Sequence, residues 1–291
     1  MQLDRLQFVE VAGRIFNAPI TAWSVTVMFH LLSRLSGVRD ADYFYDRVER
    51  IWIVRSHDTY VAVGFRVSRL WPWVVHRLVE IRLTDSRDYW YLNCYEPQPG
   101  SIIFDVGAGD GVDTILFARS AGPDGRVFAV EAHPKTACLL RATCRHNRLD
   151  NVSVIEAAVM GTSGSLAMTD EDNRDSNRIV RGSESMRAGL TTRIEATTID
   201  AICHTYDISH IDLLKMNIEG AELDAIAGMT NAIVKVRRAC IACHDFLTSN
   251  ADEPIKKAIT TYMTSNGFEV FTRNDDGRPW ARDHVHCVKN S

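Results

Sequence analysis

The strongest chemical signal in the chain is a run of glycines that follows a short apolar stretch. Ser101–Val106 is typical of a buried strand, and the turn that follows it consists of Gly107, Ala108, Gly109, Asp110 and Gly111. A strand, a glycine turn and a helix in this order place backbone N–H groups and a helix N-terminus at the carboxyl end of a central strand. Open α/β sheets bind their ligands at that edge, so the turn predicts a ligand site.

The spacing of the glycines indicates which ligand the turn favours. A dinucleotide site prefers Gly-x-Gly-x-x-Gly, but here the third glycine, Gly111, comes one residue early and Val112 stands in its place. A pyrophosphate site also leaves Asp105 unexplained. S-Adenosylmethionine carries an ammonium, a carboxylate and a sulfonium but no phosphate. Asp105 can attract that ammonium while the bare glycines let the amino-acid tail lie against the backbone, which favours S-adenosylmethionine.

Carboxylates also stand at the ends of the next two predicted strands. Glu131 lies near the end of Arg126–Ala132, where its two oxygens can accept hydrogen bonds from both ribose hydroxyls. Glu156 and Ala157 lie where the adenine would rest. The alternative for each acid is a solvated carboxylate at a strand end. The predicted cofactor site therefore comprises Asp105, the glycine turn, Glu131, Ala132, Glu156, Ala157 and Asn217.

Further polar residues follow the fourth and fifth predicted strands. Asn217, Glu219 and Glu222 come after one of them, and His244 and Asp245 come after the other. Methyl transfer from a sulfonium to a hydroxyl requires alignment of the acceptor and removal of its proton by a base, a divalent cation or both. Oxygen ligands suit Mg²⁺, so Asn217, Glu219 and Asp245 are candidate metal ligands. The alternative for Glu222 is a first-turn carboxylate favoured by the helix dipole.

His244 is the predicted general base. It comes just past the buried run Ala239–Cys243, and the ordinary imidazole pKa of about 6.5 suits proton removal at neutral pH. The alternative is a histidine that caps the sheet through a backbone hydrogen bond. Glu219 and Asp245 are predicted to lie near the acceptor. Lys215 lies inside its strand, where pairing with an acid and a catalytic role are both open.

Two other patterns overlap the predicted strands. Cys240-Ile241-Ala242-Cys243-His244 has the spacing of haem attachment, but an apolar central strand has no room for a macrocycle. Strand alternation points the two cysteines to opposite faces, which argues against a redox pair. His284-x-His286 is a weak metal pattern, and an ordinary strand is favoured there.

The elements that position these residues alternate between strand and helix from about residue 95 onward. The predicted strands are Ser101–Val106, Arg126–Ala132, Val152–Val159, Ile211–Ile218 and Ala239–Phe246, and the helices between them are Val112–Ala121, Pro134–Asn147, Ala221–Gly228 and Pro254–Asn266. Such alternation favours an α/β fold, a parallel sheet with helices on both faces, closed by the antiparallel pair Phe268–Arg273 and His284–Val288. The polar residues 161–195 interrupt it and are predicted to form a surface loop or an active-site lid.

Residues 1–94 differ from the rest of the chain, because they carry no lysine and are rich in Trp and Arg. Leu3–Phe16 and Ala22–Leu35 have helical periodicity, whereas Ile51–Val54 and Tyr60–Val67 have the composition of strands. Trp71-Pro72-Trp73 could form a substrate wall or fill a core.

The composition limits the class of protein. The chain has 291 residues, 46% of them apolar and 24% charged, which is typical of a folded protein and excludes disordered, collagen and coiled-coil chains. Thirty-three Lys and Arg against 37 Asp and Glu leave a formal charge of −4, so no nucleic-acid partner is expected. The seven cysteines are scattered, as in reduced proteins. Neither a signal peptide nor a transmembrane segment stands out, and a cytoplasmic protein is expected.

Seven short segments together form a pattern found in one known family. They are Glu96-Pro97, Asp105–Gly111, Val130–Pro134, Asn151-Val152, Ala157, Thr198–Asp200 and Asp212–Glu222. Over residues 95–273 the chain resembles the FkbM-type S-adenosylmethionine-dependent methyltransferases, most specifically in the last segment, where Asn217 replaces the usual Asp. The resemblance implies a Rossmann-like class I methyltransferase fold, with a seven-stranded, mostly parallel sheet in the order 3-2-1-4-5-7-6. It also implies O-methylation of a hydroxyl on a sugar, glycolipid or polyketide-type natural product.

We therefore predict an N-terminal region, 1–94, of mixed helix and strand, with substrate or homo-oligomer contacts, and a methyltransferase domain, 95–291. The predicted function is an S-adenosylmethionine-dependent O-methyltransferase of natural product biosynthesis, with a small-molecule or glycan hydroxyl as acceptor. The alternative is a catalytically inactive, methyltransferase-like domain that binds a nucleoside or a partner. A nucleotide-dependent dehydrogenase is disfavoured by the glycine spacing.

Overall fold

The computed structural model describes residues 26–28, 31, 34, 41–64, 79–85, 96–170, 177–180, 191–245 and 254–289. The strands are β1 (Ala41–Asp46), β2 (Ile51–Ser56), β3 (Thr59–Gly64), β4 (Ile102–Val106), β5 (Arg126–Glu131), β6 (Val152–Glu156), β7 (Ala158–Val159), β8 (Gly164–Thr169), β9 (Thr191–Thr197), β10 (Leu213–Met216), β11 (Arg238–Ala242), β12 (Phe268–Thr272) and β13 (His284–Lys289). The helices are α1 (Val112–Ala121), α2 (Pro134–His146), α3 (Ile199–Thr205), α4 (Glu222–Ala227), α5 (Ile255–Ser265) and α6 (Pro279–Arg282). Residues 79–85 are also helical, and Ala232–Lys235 form a 3-10 turn.

The centre of the molecule is a seven-stranded sheet in the order β12-β13-β11-β10-β4-β5-β6. The five strands from β11 to β6 in that order are parallel, whereas β13 is antiparallel to both of its neighbours. Counted along the chain, this order is 3-2-1-4-5-7-6, so the predicted class I methyltransferase topology is confirmed. The strand order reverses between β4 and β10, and open α/β sheets bind ligands in the crevice at such a point.

Helices cover both faces of this sheet. Successive side chains of β4 point to opposite sides, so that Ile103 packs with Phe117 of α1 while Phe104 packs with Ile199 of α3. A sheet covered on both faces explains why its central strands are almost continuously apolar. The same alternation places Asp105 on the α1 side.

The N-terminal strands form a separate three-stranded antiparallel sheet, whose strand β3 packs directly on α2. The backbone N–H of Ala62 in β3 donates to Thr143 Oγ1 of α2 at 3.0 Å, and that of Tyr60 donates to Asn147 Oδ1 at 2.9 Å. The sequence pattern predicts the strands β2 and β3 but misses β1. Leu3–Phe16 and Trp71–Trp73 lie outside the described residues, among which every helix is too short or too polar to cross a bilayer.

The segment 161–195 differs from the predicted loop. Its described parts form β8 and the start of β9, which pair antiparallel, and β7 completes a second three-stranded sheet. Leu166, Met168 and Ile194 place their side chains in a small apolar cluster with Ala158. The polar composition hides this period-two pattern. The predicted third strand, Val152–Val159, divides into β6, which belongs to the central sheet, and β7, which pairs with β9 in the second sheet.

A buried ion pair joins β4 to β10, where Asp105 and Lys215 are register neighbours. Asp105 is 0% exposed and Lys215 is 1% exposed, and Lys215 Nζ lies 2.8 Å from Asp105 Oδ1. Lys215 also donates to the carbonyl of Gly107 at 2.7 Å, and Thr114 donates to Asp105 at 2.5 Å. Burial alone would lower the pKa of Lys215, but the nearby carboxylates, Asp105 foremost, outweigh it and raise that pKa. Lys215 is therefore charged and holds the glycine turn in place.

We expect Lys215→Met to lower the free energy of unfolding by about 3–5 kcal/mol, because it leaves the Asp105 carboxylate buried without its counter-charge. Urea denaturation followed by circular dichroism measures the change. The double variant Asp105→Asn/Lys215→Met should recover part of the loss. Lys257→Met, on the exposed side of α5, should change the free energy by less than about 0.5 kcal/mol. A Lys215→Met protein as stable as this control would contradict the role of the pair.

Candidate functional site

A cavity of about 580 Å³ opens at the carboxyl ends of β4, β5 and β10, where the strand order reverses. Most of its wall is formed by four segments of the sheet edge: the glycine turn 107–110, residues 130–133, residues 157–159 and residues 217–221. This volume lies within the range of small-molecule and cofactor sites. The cavity therefore stands where the sequence predicted a ligand site.

The glycine turn is shaped by two close approaches. Gly107 has a φ of +76°, and a Cβ on it would lie 1.8 Å from the carbonyl oxygen of Asn217. Gly111 has a φ of +91°, and its Cβ would lie 2.7 Å from Leu140 of α2. At Gly109, in contrast, a Cβ would have no neighbouring atom within 4 Å, and this residue borders the cavity. The turn therefore exposes bare backbone to a ligand, while Gly111 packs against α2 and does not line the cavity.

Glu131 lies beside this turn with both carboxylate oxygens fixed. Its Oε2 accepts the backbone N–H of Gly109 at 3.0 Å, and its Oε1 accepts that of His133 at 2.9 Å. Burial raises the pKa of Glu131, and these two N–H groups oppose the shift. Each oxygen can accept a second hydrogen bond, so the carboxylate is oriented to receive a diol.

Besides Gly111, two predicted cofactor residues, Asp105 and Glu156, do not line the cavity. Asp105 points towards α1 and pairs with Lys215. It does not line the cavity, so the predicted direct contact with a ligand ammonium is wrong. Glu156 is register partner to Glu131, but its carboxylate accepts from Arg141 of α2 instead. The physical reason is the same in both cases, because each carboxylate forms an ion pair with a nearby cation: Asp105 with Lys215, and Glu156 with Arg141. The neighbouring predicted residues Ala132 and Ala157 do line the cavity.

Asn217 and Glu219 are the predicted catalytic or metal residues that line the cavity. The side-chain Oδ1 of Asn217 is buried and makes no hydrogen bond within the described part of the chain. Glu219 has a left-handed backbone, with φ +52°, and its side chain is 39% exposed. A non-glycine residue in this region of backbone space is strained and must be held by its surroundings.

Glu222 holds that strained loop. It is 0% exposed, and its Oε1 accepts the backbone N–H groups of Ile218 at 3.4 Å and Gly220 at 3.3 Å. The same oxygen lies 2.7 Å from His244 Nδ1. Glu222 is the first residue of α4, as the alternative of a first-turn carboxylate predicts, but it is buried and supports the loop between β10 and the helix while contacting His244 after β11.

His244 stands behind Glu219, as seen from the cavity. It is buried and does not line the cavity, and its Nε2 lies 3.6 Å from Glu219 Oε2. Burial alone would lower the pKa of His244, but the hydrogen bond to Glu222 and the charges of both carboxylates outweigh it and raise that pKa. Glu219 therefore contacts His244 on one side and lines the cavity on the other.

The predicted Mg²⁺ site finds no support. Asp245 lies outside the cavity lining, and its Oδ1 accepts the backbone N–H of Lys256 at 3.0 Å, at the start of α5. Within the ranges that the structure describes, no group of three or more His, Cys, Asp or Glu is arranged to hold a metal ion. His284 and His286 are buried in β13, as expected for an ordinary strand.

Several residues that line the cavity are missing from the sequence prediction. Arg82 reaches it from the helix 79–85 and donates to Asp110 Oδ2 at 3.0 Å. Met168 and residues 177–179 line it from the β8–β9 region. His133 also lines it, and its Nε2 lies 3.2 Å from Asp170, next to β8. Only His133 has a sequence signal, its position two residues after Glu131, because the others come from distant segments without a motif.

Comparisons with known proteins agree with this architecture. The chain matches the Methyltransferase FkbM domain over residues 105–270. It is 27% identical over 155 residues to the 2-O-methyltransferase NoeI of Sinorhizobium fredii, covering 48% of this chain and 62% of that protein. It is 21% identical over 201 residues to the hexuronic acid methyltransferase AglP of Haloferax volcanii, covering 67% of this chain and 80% of that protein.

Among solved structures, a methyltransferase FkbM from Methylobacillus flagellatus KT superposes with a TM-score of 0.48 at 17% identity, covering 70% of this chain and 48% of that chain. The chain thus spans less than two thirds of NoeI and about half of this structure. The domain match covers more than half of the present sequence, and it includes the glycine turn, Glu131 and the Glu219–Glu222 loop. The chain belongs to the FkbM methyltransferase family, whose class I fold is that of S-adenosylmethionine-dependent methyltransferases.

Proposed function

We propose that this protein is an S-adenosylmethionine-dependent O-methyltransferase that acts on a hydroxyl of a sugar, glycolipid or polyketide-type molecule. The observation that carries the proposal is the Glu219 carboxylate at the cavity wall, backed by His244 and Glu222 and close to the glycine turn. A carboxylate backed by an imidazole suits removal of a hydroxyl proton. The names of NoeI and AglP, which are a 2-O-methyltransferase and a hexuronic acid methyltransferase, support a sugar hydroxyl as acceptor.

The residues at the glycine turn fit the proposed cofactor. When bound, S-adenosylmethionine supplies a methyl group on a sulfonium, which is a good leaving group. The oriented Glu131 carboxylate suits its ribose diol, and the bare backbone at Gly107 and Gly109 suits its amino-acid tail. Ala132 and residues 157–159 provide a small, apolar surface for the adenine.

The proton route follows from the order of the side chains. Glu219 faces the cavity and takes the hydroxyl proton, while His244 Nε2 lies 3.6 Å behind it. His244 donates its Nδ1–H to Glu222, which leaves Nε2 free of a proton and able to accept one from Glu219. His244 thus remains the predicted base, but it acts through Glu219. Asn217 adds an uncharged amide to the same wall and can orient the acceptor hydroxyl.

The assignment of Glu131 as the ribose acceptor is tested by comparing it with Glu156, its register partner on β6. We expect Glu131→Ala to weaken S-adenosylhomocysteine binding by about 1–3 kcal/mol, because the ribose hydroxyls lose their acceptor. Glu156→Ala, one strand further out, should bind as the wild type does, because its carboxylate pairs with Arg141. Isothermal titration calorimetry measures both. Equal losses in the two variants, or none in Glu131→Ala, would remove the ribose assignment.

The proton route predicts that Glu219→Gln lowers kcat by roughly 100-fold or more and leaves S-adenosylhomocysteine affinity intact. The assay follows transfer of a labelled methyl group to glycolipid extract, with mass spectrometry to detect the gain of about 14 Da. Asp245→Asn is the matched control, because its carboxylate faces α5 and not the cavity. Full activity in Glu219→Gln would exclude Glu219 as the proton acceptor.

The raised pKa of His244 predicts the pH dependence of the reaction. Activity requires neutral His244, so kcat should rise with pH through an apparent pKa above the ordinary histidine value of about 6.5. Glu222→Gln removes the nearest carboxylate and should move this rise to lower pH. A pH profile that is identical in wild type and Glu222→Gln would contradict the coupling of His244 to the reaction.

A further inference from the structure

One ion pair in the cavity wall joins the N-terminal region to the glycine turn. Arg82 Nη1 lies 3.0 Å from Asp110 Oδ2, and both residues line the cavity. The Asp110 side chain is 10% exposed, whereas that of Arg82 is 50% exposed. A negative and a positive group therefore stand side by side at the end of the cavity formed by the turn and α1.

Arg82 is presented by a packed element. On its helix, Val79 is buried in a cluster with Val112 and Ile115 of α1. Glu80 accepts from Ser56 of β2, which is part of the N-terminal sheet. The helix is thus packed against the methyltransferase domain at the start of α1, so the position of Arg82 relative to the turn is set by hydrophobic contact and does not depend on the ion pair alone.

The position of the pair along the cavity indicates which part of a ligand it meets. Glu131 and residues 157–159 lie on the β5–β6 side of the turn, whereas Asp110 begins the connection to α1. A ligand whose ribose binds Glu131 and whose adenine lies over β6 extends its amino-acid tail across Gly107 and Gly109 towards this connection. The tail of S-adenosylmethionine is a zwitterion, with an ammonium and a carboxylate on one carbon.

A zwitterion and an ion pair of this kind are complementary. We infer that Arg82 binds the α-carboxylate of the cofactor while Asp110 receives its ammonium, so that a residue of the N-terminal region completes the cofactor site; the inference rests on the proposed cofactor binding. The guanidinium has five N–H donors in a planar fork, which suits a carboxylate even while one donor contacts Asp110. The N-terminus of the ten-residue helix α1 adds a favourable dipole for the same carboxylate.

The nearby carboxylate Asp113 has a different partner. Asp113 also lines the cavity, but its carboxylate lies 3.8 Å from Lys215 Nζ, which belongs to the buried network that supports the turn. Glu131 is held by the turn's own backbone N–H groups. Lys215 does not line the cavity, whereas Arg82 does, so among the described residues Arg82–Asp110 is the ion pair that presents both of its charges to a ligand.

The test compares two ligands that differ only in the amino-acid tail. S-Adenosylhomocysteine has the zwitterionic tail, whereas 5′-methylthioadenosine has the same nucleoside thioether with a methyl group in its place. We expect Arg82→Ala to weaken S-adenosylhomocysteine binding roughly 10- to 100-fold, as for loss of a charged hydrogen bond, with unchanged affinity for 5′-methylthioadenosine. Calorimetry with both ligands measures this, and retained binding of the second shows that the pocket is folded.

Two variants serve as controls. Arg119→Ala removes another arginine that joins α1 to the N-terminal sheet, through Thr59 at 2.9 Å, but it does not line the cavity and should bind both ligands as the wild type does. Glu131→Ala should weaken both ligands, because both carry the ribose. Unchanged S-adenosylhomocysteine affinity in Arg82→Ala, or equal loss for both ligands, would overturn the inference. A wild-type protein that binds neither ligand would instead overturn the proposed cofactor itself.

Discussion

The buried pair of Asp105 and Lys215 is the interaction on which the geometry of the site depends. Two charges removed from water are costly unless each is fully hydrogen-bonded. Here the ammonium contacts the Asp105 carboxylate and the Gly107 carbonyl, and Thr114 adds a donor to the carboxylate. The pair bridges β4 and β10 at the reversal of strand order, and it fixes the first residue of the glycine turn. A buried ion pair that does not itself line the cavity therefore determines the position of the ligand site.

A second buried group organises the other side of β10. Glu222 accepts two backbone N–H groups of its own loop and contacts His244 at the end of β11. This support holds Glu219 in a left-handed conformation at the cavity wall. The two networks have the same design, because each uses a fully buried charged side chain to position a loop at the carboxyl edge of the sheet. Functional groups at the surface of the cavity are thus oriented by residues that do not line it.

The sequence predicted the strand order and the ligand turn because both depend on local patterns. Alternating strands and helices, the spacing of Gly107 to Gly111 and the acid at Glu131 needed no knowledge of distant contacts. The orientation of Asp105 was predictable in principle, since it shares a face with the buried Ile103. Ion-pair partners that lie elsewhere in the chain were not predictable. Lys215 pairs with Asp105, Arg141 pairs with Glu156, and Arg82 of the N-terminal region pairs with Asp110. The β8–β9 hairpin was missed because its polar residues concealed a period of two.

The central claim is that this cavity is built for S-adenosylmethionine and not for a dinucleotide. Titration calorimetry of the wild-type protein with S-adenosylhomocysteine and, separately, with NAD⁺ tests it most directly. The turn geometry, the diol acceptor at Glu131 and the absence of a third glycine at position 112 predict saturable binding of S-adenosylhomocysteine and no binding of NAD⁺ under the same conditions. Saturable binding of NAD⁺ without binding of S-adenosylhomocysteine would contradict the account.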